Sequence, residues 1–81
     1  MDIDYWYVKI QLELLNAIYN YSKTNNLNNK DTCKALDIEE EQLNSLMNFR
    51  YNDSIKDFIM LVLKLRYKPI IKFEKLNDNK E

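Results

Sequence analysis

The sequence predicts a mainly all-α fold: four to five helices around a helix-turn-helix core, with one short β-strand at the C-terminal end. Three observations carry that prediction. The 81 residues contain no glycine and one proline, so few positions invite special backbone angles and helix is favoured throughout. Apolar residues recur three and four apart through most of the chain. After Pro69 the period changes to two, with Ile71 and Phe73 alternating against Lys72 and Glu74. A chain of this length reads as one domain, residues 1–76, followed by a polar tail at 77–81. Its core is small enough that a second copy or a partner is expected to cover part of it.

The first helix is expected from about Tyr5 to Lys23, with Asp4 as its N-cap. Val8, Leu12, Leu15 and Tyr19 form its apolar stripe, widened by Leu14, Ile18 and Tyr21. A strand over Ile3–Ile10 is the alternative, because Tyr5, Trp6, Tyr7, Val8 and Ile10 all favour sheet. Thr24-Asn25-Asn26 makes a polar loop. A second helix starts near Asn28, whose side chain can accept from an orphan backbone N–H, and ends near Leu36. Asp37 then turns the chain, since aspartate tolerates left-handed angles better than most residues. A third helix runs from about Glu39 to Asn48, its opening carboxylates favourably placed against the helix dipole. Ser54-Ile55-Lys56-Asp57 opens a fourth helix reaching about Tyr67, with Ile55, Phe58, Ile59, Val62 and Leu65 as its core face. Met60, Leu61 and Leu63 leave that helix apolar nearly all round, so a second subunit is expected over them. The strand at 70–75 needs a pairing partner, which a symmetry-related copy would supply through Ile71 and Phe73.

Composition excludes whole classes of chemistry. Without histidine there is no Ser-His-Asp or Cys-His pair and no His-containing zinc site. Without glycine there is no Gly-rich phosphate loop. The single cysteine, Cys33, allows no internal disulfide and is expected to pack as a small buried side chain. No enzyme activity, metal or cofactor is therefore expected. The longest apolar run, Phe58–Leu63, is too short to cross a bilayer, and no secretory leader pattern opens the chain. A reducing, cytoplasmic setting is the expectation. Net charge is −1 but unevenly spread: residues 27–51 carry three cations and five anions, whereas residues 55–75 carry six cations and two anions.

The order Leu27-Asn28-Asn29, Leu36-Asp37-Ile38, Leu43, Leu46, Asn48-Phe49-Arg50, then Ser54-Ile55, Phe58-Ile59, Val62 and Leu65 resembles the phage-repressor (Cro-like, XRE) helix-turn-helix family. The likeness spans about residues 12–73, with the helix-turn-helix core at 27–50, and is similar to the small antitoxin-like subgroup that ends in a strand. The apolar frame matches closely while the polar positions depart from it. The family usually has glycine where this chain has Asp37 and Phe49. Its common Ser/Thr-Gln opening of the third helix is here Glu39-Glu40, and its phosphate-touching glutamine is here Asn29.

The resemblance implies a dimeric, sequence-specific DNA-binding regulator of the kind found in phages and mobile elements. By position, base-edge contacts fall to Glu40, Glu41, Gln42 and Ser45, and backbone contacts to Asn28, Asn29, Asn48 and Arg50. Glutamate can accept from cytosine N4, but three adjacent carboxylates oppose the phosphate attraction that dominates such binding. The rival expectation is a helix-turn-helix protein that binds a basic protein surface through Glu39–Glu41, with Met47 and Phe49 as apolar anchors. Tyr5-Trp6-Tyr7 is an exposed aromatic docking patch, or core or dimer packing. Lys64, Arg66, Lys68, Lys72 and Lys75 form a solvated face or bind an acidic partner or DNA.

Overall fold

The computed structural model describes residues 2–77, and among them it forms four helices: α1 (Ile3–Thr24), α2 (Asn29–Leu36), α3 (Glu40–Met47) and α4 (Ile55–Lys64). The mainly helical class is as the sequence predicts. Three N-caps use side-chain acceptors on the third residue beyond: Asp2 from the Tyr5 N–H, Asn28 from Asp31 and Ser54 from Asp57. α1 therefore begins two residues earlier than expected, capped by Asp2 rather than Asp4, and the alternative strand at Ile3–Ile10 is helical. α4 ends at Lys64, short of Tyr67.

Every helix ends the same way, without a glycine. Asn26, Asp37, Phe49 and Arg66 have φ of 55, 54, 57 and 72°, one within two residues of each helix end. In each case this residue's N–H and the next one's reach back to helix carbonyls. Leu27 donates to Ser22 at 2.8 Å, Ile38 to Cys33 at 2.9 Å, Arg50 to Ser45 at 2.7 Å and Tyr67 to Val62 at 3.2 Å. These are Schellman closures, which satisfy carbonyls that the helix itself leaves unpaired. A side chain in the left-handed region costs about 1–2 kcal/mol, least for Asn and Asp, so Phe49 and Arg66 hold the most strained positions.

The core joins Leu14 and Ile18 of α1, Cys33 and Leu36 of α2, Leu43 and Leu46 of α3, Tyr51 of the α3–α4 loop, and Leu61 with Leu65. Two polar residues are buried with them, and both are satisfied. Thr32 shares a 2.7 Å hydrogen bond with Ser22, tying α2 to α1. Gln11 donates to its own helix at the Tyr7 carbonyl and accepts from the Tyr51 N–H at 2.6 Å, while the Tyr7 hydroxyl donates to the Tyr51 carbonyl at 2.8 Å. One loop residue thus has both backbone polar groups held by α1.

Several expectations need correction. The buried stripe of α1 is Gln11-Leu14-Ile18, flanked by half-buried Leu15 and Tyr21, while Val8, Leu12 and Tyr19 are exposed. A polar residue in the core face hid this register from hydrophobic patterning. Ile55 stands 74% exposed on the first turn of α4, whereas Leu61 is core and is not available to a dimer interface. Residues 70–75 are exposed and form no strand, as expected of a strand sequence without a neighbour to bond. Of the tail at 77–81, residues 78–81 lie outside the described residues.

Two outcomes follow. Arg66→Gly should raise stability by about 1 kcal/mol over Arg66→Ala in chemical denaturation, because glycine alone is free of the left-handed penalty; equal midpoints would contradict the helix-end geometry. Burial, then the Asp53 and Asp57 carboxylates and a hydrogen bond to Asp53, push the Tyr51 phenol up from 10.0 to about 12. A raised folded-state value stabilises below the unfolded one and is lost above the folded one, so this contribution should hold to pH 10 and vanish through pH 12. Ultraviolet titration should show one of the six tyrosines ionising last, together with unfolding.

Candidate nucleic-acid interface

α2, the turn at Asp37 and Ile38, and α3 make the helix-turn-helix. Its angle is set by Leu36, half-buried Ile38, Leu43 and Leu46 meeting α1. Lys64 closes the turn from outside: its Nζ donates to the Leu36 carbonyl at 3.0 Å and lies 4.0 Å from the Asp37 carboxylate. Asp37 is almost fully solvated, so the ion pair adds little; the bond to the helix-end carbonyl matters more.

Helical spacing divides α3 into two sides. Leu43 and Leu46 point inward. Glu41, Asn44 and Asn48 run along the outer face, with half-buried Ser45 on one edge and Glu40 and Met47 on the other. Gln42 belongs to neither. Its Oε1 accepts from the Glu39 N–H at 2.8 Å, closing the helix start, and its Nε2 donates to Asp53 at 2.8 Å. The amide expected to read a base edge therefore has both ends engaged within the protein. Asn48 is partly engaged too, its Nδ2 donating to the Asn44 carbonyl at 2.8 Å, and Asn28 uses its carbonyl oxygen as the α2 cap. Asn29, Glu40, Glu41 and Arg50 are exposed.

Asn44 joins the outer face although no sequence motif pointed to it; its place three residues beyond Glu41 and four beyond Glu40 was the available signal. Lys30 and Lys34, one turn apart on α2, line a groove of about 420 Å³ with Asp37, Glu39 and Glu40. The carboxylates at the start of α3 thus stand beside two lysines. Below them Cys33 is buried, and burial followed by the Glu40 charge pushes its thiol up from 9.0. A thiol held protonated and covered is a packing group rather than a nucleophile.

Met47 is exposed at the end of α3, and Phe49 is half-buried behind it. Among the described residues, no group of three or more His, Cys, Asp or Glu side chains could hold a metal ion. No described helix is long and apolar enough to cross a membrane.

No protein-family model, curated protein or solved structure matches this chain. The geometry of its own residues therefore carries the functional argument.

Because Gln42 links the α3 start to the α3–α4 loop, Gln42→Ala should destabilise the domain by about 1–2 kcal/mol. Glu41→Ala, at an exposed position, should change stability by less than about 0.5 kcal/mol. Denaturant midpoints distinguish them, and equal effects would refute the engaged-glutamine geometry.

Proposed function

We propose that this protein is a sequence-specific DNA-binding transcriptional regulator of phage-repressor or antitoxin type, acting as a dimer. The observation that carries the reading is the α2–turn–α3 scaffold, which projects one helix face of Glu40, Glu41, Asn44 and Ser45 with exposed Asn29, Lys30, Lys34 and Arg50 around it. Phosphates would meet the flanking amides and cations. The centre of the face would meet base edges, with a glutamate accepting from cytosine N4. With Gln42 engaged elsewhere, Asn44 takes its place as the amide able to pair with adenine.

The dimer would use exposed Met60 and Leu63 on α4 together with Ile71 and Phe73, the last 93% exposed. Pairing residues 70–75 of two copies about a two-fold axis would supply the strand with a neighbour and set two α3 helices about one DNA turn apart.

A second reading has its own support: α3 itself carries two exposed carboxylates, no cation and an exposed Met47, a combination suited to a basic protein surface. One double substitution separates the two. In polarisation titrations across a salt series, Glu40→Gln with Glu41→Gln should tighten binding to nonspecific DNA roughly fivefold, about 1 kcal/mol, if α3 faces phosphates. If α3 faces a basic protein, that complex should weaken instead and DNA affinity stay negligible. Absence of binding by micromolar wild-type protein to its own upstream DNA at low salt would remove the DNA reading.

A further inference from the structure

The apolar residues that α1 does not bury follow a rule of their own. Tyr5, Val8, Leu12, Leu15 and Tyr19 are spaced three, four, three and four apart, the seven-residue repeat of a two-stranded helical seam. They lie beside the buried stripe of Gln11, Leu14 and Ile18, rotated by roughly a quarter turn of the helix. Tyr5, Val8, Leu12 and Tyr19 are 53, 39, 43 and 63% exposed. The seam therefore contributes little to the core, yet it spans about 21 Å of α1. Beside its C-terminal half lies a groove of about 630 Å³, lined in part by Leu15, Tyr19, Leu27, Leu43 and Met47. The face and the groove share Leu15 and Tyr19.

We infer that this surface binds a second copy of the same chain, α1 against α1 in parallel. Charge selects both the partner and the direction. Exposed Lys9, Asn16 and Lys23 border the seam on one side, and exposed Asp4 borders it on the other, next to the buried Gln11. In a parallel pair, Asp4 of each copy meets Lys9 of the other, five residues on, giving two ion pairs about the two-fold axis. Antiparallel pairing would instead bring Lys9 against Lys23. Lys9 already lies along this border, its ammonium 5.4 Å from the Trp6 ring centre and 6.0 Å from that of Tyr5.

This interface is separate from α4 and residues 70–75, so it does not rest on the dimer described above. Where both form, two isologous contacts on one chain build an assembly larger than a dimer.

Sedimentation of the full chain and of Leu12→Glu at tens of micromolar tests the inference. Leu12 is exposed, so circular dichroism should be unchanged, while the mass should fall by half. An unchanged mass would overturn the proposal. Crosslinking gives the direction without depending on that variant's fold. Under mild oxidation, Val8→Cys and Leu15→Cys should each yield a disulfide-linked dimer that the wild type, with Cys33 buried, does not. Failure of both to crosslink, alone or mixed with Tyr19→Cys, overturns the seam; crosslinking of Val8→Cys only when mixed with Tyr19→Cys overturns the parallel direction. Neither readout involves DNA, so failure here leaves the DNA titrations to be judged on their own.

Discussion

The backbone of Tyr51 is held at both ends by one helix, and the placement of everything after α3 depends on it. Gln11 accepts its N–H and Tyr7 donates to its carbonyl, from successive turns of α1. A loop residue 8% exposed would otherwise bury two unpaired backbone groups, each at about 1–3 kcal/mol. With both satisfied, the Tyr51 ring can enter the core and meet Phe58 edge-on, with centroids 6.4 Å apart. Asp53, two residues on, then lies within reach of Gln42 at the start of α3. Both ends of α3 and the start of α4 are thereby referred to α1.

The helix-turn-helix angle has a second support in the helix ends. In a chain with no glycine every left-handed helix closure must carry a side chain, and among the described residues four do. Asp37 suits that position and Lys64 covers the carbonyl beside it, so the α2–α3 turn is fixed from two directions. Phe49 is a less natural choice. It takes the same backbone angle at the end of α3 and stays half-buried, so its packing offsets a strain that glycine would not have. These two supports let a short α3, eight residues long, present a defined outer face despite its low intrinsic stability.

Where the pattern was local, the sequence could be read directly. The caps at Asn28 and Ser54, the left-handed Asp37, the burial of Cys33 and the inward Leu43 and Leu46 follow from spacing and side-chain chemistry alone. What escaped reading depended on contacts between distant residues. Gln11 is a polar residue whose partner lies 40 positions away, so it looked like surface and drew the α1 core stripe to the wrong side. Gln42 looked free to read a base because Asp53 is 11 residues off. Leu61 could not be told from Met60 and Leu63 on an all-apolar helix, since only the packed neighbour decides which residue is core. The period-two segment at 70–75 records a preference for extended chain, but a strand exists only with a partner. Periodicity likewise detected the stripe of Val8, Leu12, Leu15 and Tyr19, three of whose members, Val8, Leu12 and Tyr19, stand exposed.

Amide hydrogen exchange at Tyr51 reads directly whether α1 side chains clamp this loop backbone. The Tyr51 amide should exchange as slowly as core helix amides such as that of Leu46, despite lying outside any helix, and Gln11→Ala should release it selectively. Exchange in wild-type protein as fast as that of the neighbouring exposed Asn52 would show that the clamp does not form.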